Sequence, residues 1–383
     1  MNFDLTDYQK GIQKDLADVL KEEAGRFAAL RDEDPKALQQ RMRNFFQKLE
    51  GRTVYLHLGL DPQELKESIF AQTLNSIFLG QELAKVSPSL YIALETSTRL
   101  FGWIIARFGM ETNRRDFLMP LQKGQKIGAV GLAESSGNFP KNELETTALQ
   151  EGDFYRISGC KKQVINAPIA DFFAVTGRID GQRAVFLLSA DQEGLQVGAP
   201  LKTLGFQGLT QSDVRLNQCL IPADQVIGPL ADEALFLPMQ IRQNLIVTLA
   251  SFGIMERAIK AANHYSGESR DGGKPPQAYQ EIRFRLAEMF TLLQTSQWML
   301  YRAGWMLETR MSDAETVAAA AKVFITESAE EVTRGALQIM GFEGYQSGHD
   351  LEECFRDARL GPVAGETSEV LRMRIADDCL RKY

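Results

Sequence analysis

The chain has 383 residues, a formal net charge of −7 and 44% hydrophobic residues, ordinary values for a soluble globular protein with room for two or three domains. An acidic balance argues against nucleic-acid binding, which needs a basic face, and four scattered cysteines with three histidines offer no zinc or iron pattern. The opening MNFDLTDYQK lacks the form of a signal peptide, and no apolar run is long enough to span a membrane. A cytoplasmic protein with reduced thiols is expected.

From Phe3 to about Leu118 the pattern is helical. Tyr8, Ile12, Leu16 and Leu20 recur at four-residue spacing, and Asp61-Pro62-Gln63-Glu64 reads as a helix start. The run Leu90 to Phe108 is mostly apolar but holds Glu95 and Arg99. A carboxylate there is either paired in an interface or placed for chemistry, since the run offers little solvent. Between Pro120 and about Gly228 the pattern changes to short alternating or apolar runs, at 171–175, 184–189 and 214–221, punctuated by Gly, Asp, Asn and Pro. Helices return at Pro238–His264, Gln277–Met311 and Asp313–Met340, long enough for an antiparallel bundle. The expected fold is therefore α+β: an N-terminal helical domain over 1–119, a central β-barrel or sandwich over 120–229, and a C-terminal four-helix bundle over 230–383.

One stretch organises the rest, Ile127 to Pro168. Ala129, Val130 and Leu132 form a short apolar run, and Glu134-Ser135-Ser136-Gly137-Asn138 follows as a small, polar turn. Such turns let backbone N–H groups approach a flat or anionic ligand. Phe154 to Ser158 alternates as a half-buried strand, Gly159 is expected to turn, and Lys161 to Asn166 resumes the pattern. Two such units could cradle a ring-shaped cofactor or be ordinary barrel turns.

These segments resemble the middle domain of the acyl-CoA dehydrogenase family, with Ala133-Glu134-Ser135-Ser136-Gly137-Asn138 standing at T-E-P-x-A-G-S-D. Gly159-Cys160-Lys161-Lys162-Gln163-Val164-Ile165-Asn166 stands at G-x-K-x-W-I-T-N. Further on, Gln338-Ile339-Met340-Gly341-Phe342-Glu343-Gly344-Tyr345 resembles Q-I-x-G-G-x-G-F/Y, and Phe355-Arg356-Asp357-Ala358-Arg359 resembles R-D-A-K/R. The resemblance implies FAD, cradled by Leu132, Ala133, Glu134, Ser136, Gly137, Gln163, Ile165, Asn166, Thr367 and Ser368. Arg270 would reach its diphosphate, Gln280 would be a further cofactor contact, and Gln338, Gly341 and Gly344 would contact the FAD of a neighbouring subunit. It also implies a homotetramer or homodimer, an acyl-CoA or acyl-carrier-protein substrate, and electron-transfer flavoprotein or oxygen as acceptor.

In that family a glutamate removes the α proton while the β hydride passes to flavin. Here Ala364-Gly365-Glu366-Thr367-Ser368 places Gly365 at the glutamate's usual position, and Gln243, beside Asn244, occupies its alternative home. Ala364, Gly365, Gln243 and Asn244 are then expected to line the substrate. Glu366, one residue along, and Glu95, on the segment lining the acyl pocket in relatives, are the candidates for a relocated base. Gln163, Ile165 and Ala133 replace groups that flank the flavin ring, which leaves room for altered flavin chemistry (oxidase, monooxygenase or ring-forming) or a non-catalytic scaffold.

Overall fold

The computed structural model describes residues 7–27, 34–52, 73–135, 144–231, 234–269 and 273–382. Its element order is helices, strands, helices, as the hydropathy pattern implies. The first group is α1 (Asp7–Phe27), α2 (Pro35–Arg52), α3 (Thr73–Val86) and α4 (Pro88–Glu95), which runs through a π-helical stretch, Thr96–Gly102, into α5 (Trp103–Phe108). Ser87 caps α4, its hydroxyl accepting from Leu90 N, and Pro88 occupies the first turn, where a missing N–H costs nothing. Leu16 and Leu20 are buried on α1 as their spacing implies; the side chains of Tyr8 and Ile12 and the segment containing Asp61–Glu64 lie outside the described residues.

The strands are β1 (Gly128–Gly131), β2 (Thr147–Glu151), β3 (Phe154–Ile165), β4 (Phe172–Ile179), β5 (Gln182–Ser189), β6 (Leu195–Val197), β7 (Gln211–Pro222) and β8 (Val226–Ile227). They form one hydrogen-bonded sheet in the order β6-β7-β3-β2-β4-β5-β8, with β1 added parallel to β4. Val214 and Leu216 near one edge share a core with Phe186 and Leu188 near the other, so the sheet curls around its own interior. On β4 and β5 the alternate residues Phe172, Ala174, Val185 and Leu187 join the helical core instead. Two-sided burial explains why these strands read as unbroken apolar runs.

The turn expected at Gly159 does not exist: β3 runs straight through, with register shifts at Ile157/Gly159 and Lys161/Val164. Gly159 is there for close approach, because a Cβ would lie 2.3 Å from Thr146 Oγ1.

The free side of β4 is shared end to end by two short partners, β1 along 172–175 and β2 along 178–179. Between them the chain leaves the sheet after Gly131 and returns at Thr147, and a buried ion pair fills the gap. Lys161, wholly buried, pairs with Glu134 and donates to Thr176 Oγ1 at 3.1 Å. Thr176 in turn donates to Gly131 O at 3.1 Å, while Thr146 Oγ1 donates to Glu134 at 2.6 Å.

The last group is α6 (Phe236–Gly267), α7 (Gln280–Glu308), α8 (Ala314–Met340), α9 (Asp350–Ala358) and α10 (Ser368–Lys382). The small residues Ala318, Ala319 and Ala321 of α8 are buried as their size allows. Gly253 of α6 lets the backbone of α3 approach so closely that a Cβ would sit 2.5 Å from Ala84 C.

The sheet is clamped to both helical groups by polar contacts. Asp171 accepts from Ile127 N at 2.9 Å and pairs with Lys126 and with Arg43 of α2, while Asp357 of α9 accepts from Phe206 N.

Removing one member of the Lys161–Glu134 pair strands a charge where water cannot reach it. Lys161→Met is expected to lower unfolding free energy by about 3–5 kcal/mol, and Lys161→Met with Glu134→Leu to recover most of that loss. Urea denaturation of the two variants checks it, and equal losses would contradict it.

Candidate functional site

Four segments carry the expected site residues: the end of β3 against the α4–π-helix run, and the first turns of α6 against the loop from Gly361 to Ser368. The end of β3 is shaped by two residues in left-handed backbone. Gln163 (φ 53°) is exposed at a bulge, its N–H donating to Asp213 Oδ1 at 3.1 Å. Asn166 (φ 67°) is wholly buried, and its amide donates to Ala93 O of α4 at 2.8 Å and to Gly128 O at 3.2 Å. Asparagine tolerates this backbone better than most residues. One side chain thus ties β3, β1 and α4 together. Gly128 N donates to Ser97 Oγ at 2.9 Å, which holds the π-helix against the sheet.

Leu132 and Ala133 are partly exposed where the chain leaves β1, and Ala133 O accepts from Lys162 N at 2.8 Å. Ile165 is also partly exposed, with no hydroxyl to offer at the position where the family carries threonine. Glu134 points away from this face into its pair with Lys161, so its carboxylate positions the loop rather than meeting a ligand. Burial resists its charge, but Lys161 and the Thr146 bonds outweigh that and hold its pKa below the usual carboxylate range.

Gly361 to Ser368 is pinned from beneath. Gly361 packs so closely on α6 and α8 that a Cβ would lie 2.8 Å from Ser251 Oγ and 2.9 Å from Thr326 Cβ. Lys322 of α8, fully buried, donates to Pro362 O at 3.2 Å, and burial pushes its pKa down to about 8 against the opposing pull of Glu369, Glu366 and Glu327.

Above this, Asn244 and Glu366 exchange two hydrogen bonds, Asn244 Nδ2 to Glu366 Oε2 at 2.8 Å and Glu366 N to Asn244 Oδ1 at 3.0 Å. Arg374 pairs with the other carboxylate oxygen, Oε1. Glu366 is 4% exposed and engaged on both oxygens, so the structure does not place it as a free base. Its position one residue along from the family's glutamate turns it toward Asn244 of α6 and Arg374 of α10.

Gly365, at φ 66°, sits directly against Asn244: a Cβ there would lie 2.5 Å from Asn244 Oδ1. The amide of Asn244 therefore occupies the space through which a side chain at 365 would have to leave the backbone.

Glu95 fares similarly as a base. It is 3% exposed and paired with Arg99, one helical turn on. These two and Arg242 of α6 meet at a cavity of about 40 Å³ bounded also by Thr73, Ser76 and Tyr91. Arg242 stacks on Trp103, its guanidinium carbon 4.6 Å from the ring centroid. Sequence reasoning singles out Gln243 and Asn244 but passes over Arg242, although a charged residue in the apolar first turns of this helix was a usable signal. Gln243 itself is partly exposed and presents an amide, not a base. Ala364 is partly exposed beside Gly365, and Thr367 leads into α10, its carbonyl accepting from Leu371 N at 3.1 Å.

Other expected residues lie elsewhere. Gln280 is exposed at the start of α7 and Gln338 near the end of α8, about 18 Å along that helix from Thr326. Gly341 (φ 63°) ends α8, and Gly344 is buried against Met340 and Leu337. Ser136, Gly137 and Arg270 lie outside the described residues. A roomier cavity, about 910 Å³ between α1, α3, α6 and α7, contains none of the expected site residues.

The middle-domain model of acyl-CoA dehydrogenases matches residues 129–219, and the C-terminal-domain model matches residues 243–380. Benzylmalonyl-CoA dehydrogenase from Aromatoleum aromaticum is 29% identical, over 99% of each chain. Among solved structures, butyryl-CoA dehydrogenase from Megasphaera elsdenii superposes with a TM-score of 0.86 at 24% identity, covering 99% of this chain and 100% of that one. The FAD complex of PigA superposes with a TM-score of 0.83 at 22% identity over the whole of both chains.

The residues present are compatible with FAD. Asn166 Oδ1 and Ser368 Oγ are buried with no hydrogen-bond partner among the described residues, an acceptor and a hydroxyl held ready for a polar ligand. Leu132, Ala133, Gln163, Ile165, Asn166, Thr367 and Ser368 are the described residues that would hold it.

Two outcomes test this geometry. Gly365→Ala is expected to cost about 2–4 kcal/mol through left-handed backbone and the clash with Asn244; Asn244→Ala should relieve part of that cost, so a double-mutant cycle by thermal unfolding reads less than the sum. Because folding lowers the Lys322 pKa, from 10.5 to about 8, the folded state releases this proton first. Wild-type stability should therefore rise relative to Lys322→Met as pH climbs from about 8 to 10.5, by roughly 2 kcal/mol. A flat difference across that window would show that the ammonium is not buried in solution.

Proposed function

Because this chain belongs to the acyl-CoA dehydrogenase family and is a flavin oxidoreductase with FAD as its cofactor, we propose that it works at the α and β carbons of an acyl thioester. The observations that support this reading are two buried polar atoms without partners among the described residues, Asn166 Oδ1 and Ser368 Oγ, and the Gly365–Asn244 contact. When bound, FAD supplies a two-electron acceptor for the hydride leaving the β carbon. The chain's own residues orient and enclose: Asn166 fixes the end of β3 against α4, and Lys322, Asn244 and Glu366 hold the Gly361–Ser368 loop against the bundle.

The α proton is the open step. Neither Glu366 nor Glu95 stands free to take it, and a relocated base would require Glu366 to leave both Asn244 and Arg374. We therefore assign Glu366 as a positioning residue. The glycine at the usual base site, with the Asn244 amide packed against it, favours a second reading, flavin chemistry on a substrate whose α carbon needs no protein carboxylate.

Benzylmalonyl-CoA, named for one relative, supports a CoA thioester over a carrier-protein one. Electron-transfer flavoprotein is the acceptor we favour over oxygen, since a solved structure of the same fold carries that name in its description. Self-association into a dimer or tetramer is supported by bare aromatic surface: Phe284 and Trp298, two heptads apart on α7, are 58% and 55% exposed, and Phe342 and Tyr345 beyond α8 are each 78% exposed.

Anaerobic titration with short acyl-CoA thioesters should bleach the oxidised flavin band. Glu366→Gln is expected to lower the rate of bleaching less than 100-fold and to leave the acidic limb of its pH profile in place. A true base would cost about 10²–10⁴-fold and carry that limb with it. Loss of the limb in Glu366→Gln would restore the relocated-base mechanism.

A further inference from the structure

The cavity between α1, α3, α6 and α7, about 910 Å³, is within the range that holds small-molecule ligands, about 300–1,000 Å³. Each helix gives it one face. On α7, Leu286, Phe290 and Leu293 recur at i, i+4 and i+7, and Leu20 of α1, Val86 of α3 and Ile259 of α6 add apolar groups to the same lining. Phe290 is 56% exposed, so an apolar ligand lying against it would take a large ring out of water.

The charge on this lining runs against that of the chain. The net charge is −7, yet Lys21, Lys85, Arg257 and Lys260 line the cavity with only two carboxylates, Glu82 and Glu256. Both carboxylates are drawn to Lys85, Glu82 at 3.0 Å and Glu256 at 3.4 Å. Burial pushes the pKa of Glu256 up to about 7 against the pull of Lys85, so its negative charge is only partly present at neutral pH. The other three cations are answered loosely or not at all. Lys21 meets exposed Asp18 at 3.7 Å, and Arg257 comes no nearer than 3.9 Å to Asp350 and 4.0 Å to Glu353. Lys260 makes no ion pair among the described residues and stands one helical turn from Arg257 on α6. A cation would be repelled from this lining, and a neutral apolar molecule would gain nothing from its charges.

We infer that this cavity is a binding site for an anionic amphiphile, with an alkyl or aromatic body between α1, α3, α6 and α7 and a carboxylate or phosphate head drawn to Lys21, Arg257 and Lys260. Lysine and arginine suit either head, so the two are separated by experiment. The site lies apart from the residues assigned to cofactor and substrate, and the inference does not rest on the thioester reading.

The test is calorimetric titration of the FAD-loaded protein with decanoate, decyl phosphate, decanol and decyltrimethylammonium, each kept below its micelle concentration. At least one anion should bind at one site per protomer, tenfold or more tightly than the alcohol and the cation. A fatty carboxylate is the ligand if decanoate binds tighter, a lipid phosphate if decyl phosphate does. Lys21→Glu combined with Lys260→Glu, both at exposed positions, should weaken the anion at least tenfold. Ala287→Trp, which fills the cavity from an exposed position on α7, should weaken it at least as much. Retention of the FAD absorbance band shows that each variant is folded, and either variant alone keeps the test decisive.

Anion binding no tighter than that of the alcohol or the cation overturns the proposal, as does an affinity that a folded variant leaves unchanged. Excess butyryl-CoA run alongside marks the remaining case: anion binding that it abolishes and Ala287→Trp does not belongs to the acyl pocket, and the proposal falls. Absence of binding by all four compounds overturns it as well and leaves the thioester reading untouched.

Discussion

The structure depends first on a lysine and a glutamate that never see water. β4 would normally take one partner on its free side; here it takes two short ones, and the chain must bulge out between them. That departure would expose backbone groups at a sheet edge unless something filled the gap. Lys161 and Glu134 fill it, with Thr146 and Thr176 completing their hydrogen bonds. A buried pair of this kind adds little net stability over an apolar replacement, but its partners' directions are fixed, which an apolar plug would not supply. We read it as the device that sets where the chain re-enters the sheet, and hence where Leu132 and Ala133 leave it.

The same logic, polar groups buried to fix direction, recurs on the opposite bank. Asn244, Glu366, Arg374 and Lys322 form a framework under the Gly361–Ser368 loop. In a chain with a glutamate at position 365, that loop would present a carboxylate to substrate. Here the neighbouring glutamate is turned inward, the glycine adopts left-handed backbone, and Asn244 fills the space beside it. These three features make one another necessary. A Cβ at 365 would collide with Asn244, and without Asn244 the buried Glu366 would lose a donor. The missing base is thus a built feature of packing, not a single substitution.

Much of this was legible in the sequence. Periodicity separates helices from strands because the core lies on one side of each helix, and the long helices 236–267, 280–308 and 314–340 fall close to the expected ranges. The left-handed backbone at Asn166 falls within the stretch singled out from sequence, where asparagine tolerates that conformation better than most residues. Gly159 was misread because a glycine tolerated for a neighbour's approach and a glycine needed for a turn look alike until Thr146 is seen beside it. The candidate bases were misread for a related reason. Sequence shows that Glu366 and Glu95 are carboxylates in apolar surroundings, but their partners, Arg374 and Asn244 for one and Arg99 for the other, are supplied by the fold and its helical turns.

That difference bears on how a family chemistry can be altered. A flavin enzyme needs the ring, the substrate's reacting carbons and a proton acceptor in register, and the first two are set by large features such as the curled sheet, the π-helix and the bundle. The third depends on one side chain at one position, the easiest to lose while the fold survives. In this chain its loss coincides with charge gathered at a small cavity beside α6, where Glu95, Arg99 and Arg242 meet. Binding energy spent on remote parts of a substrate orients it without touching the reacting carbons. Fixing a substrate in reactive geometry can replace several kcal/mol of other assistance, about 7–11 kcal/mol at the upper end. A site without a carboxylate at 365 has more to gain from that orientation than one that keeps it.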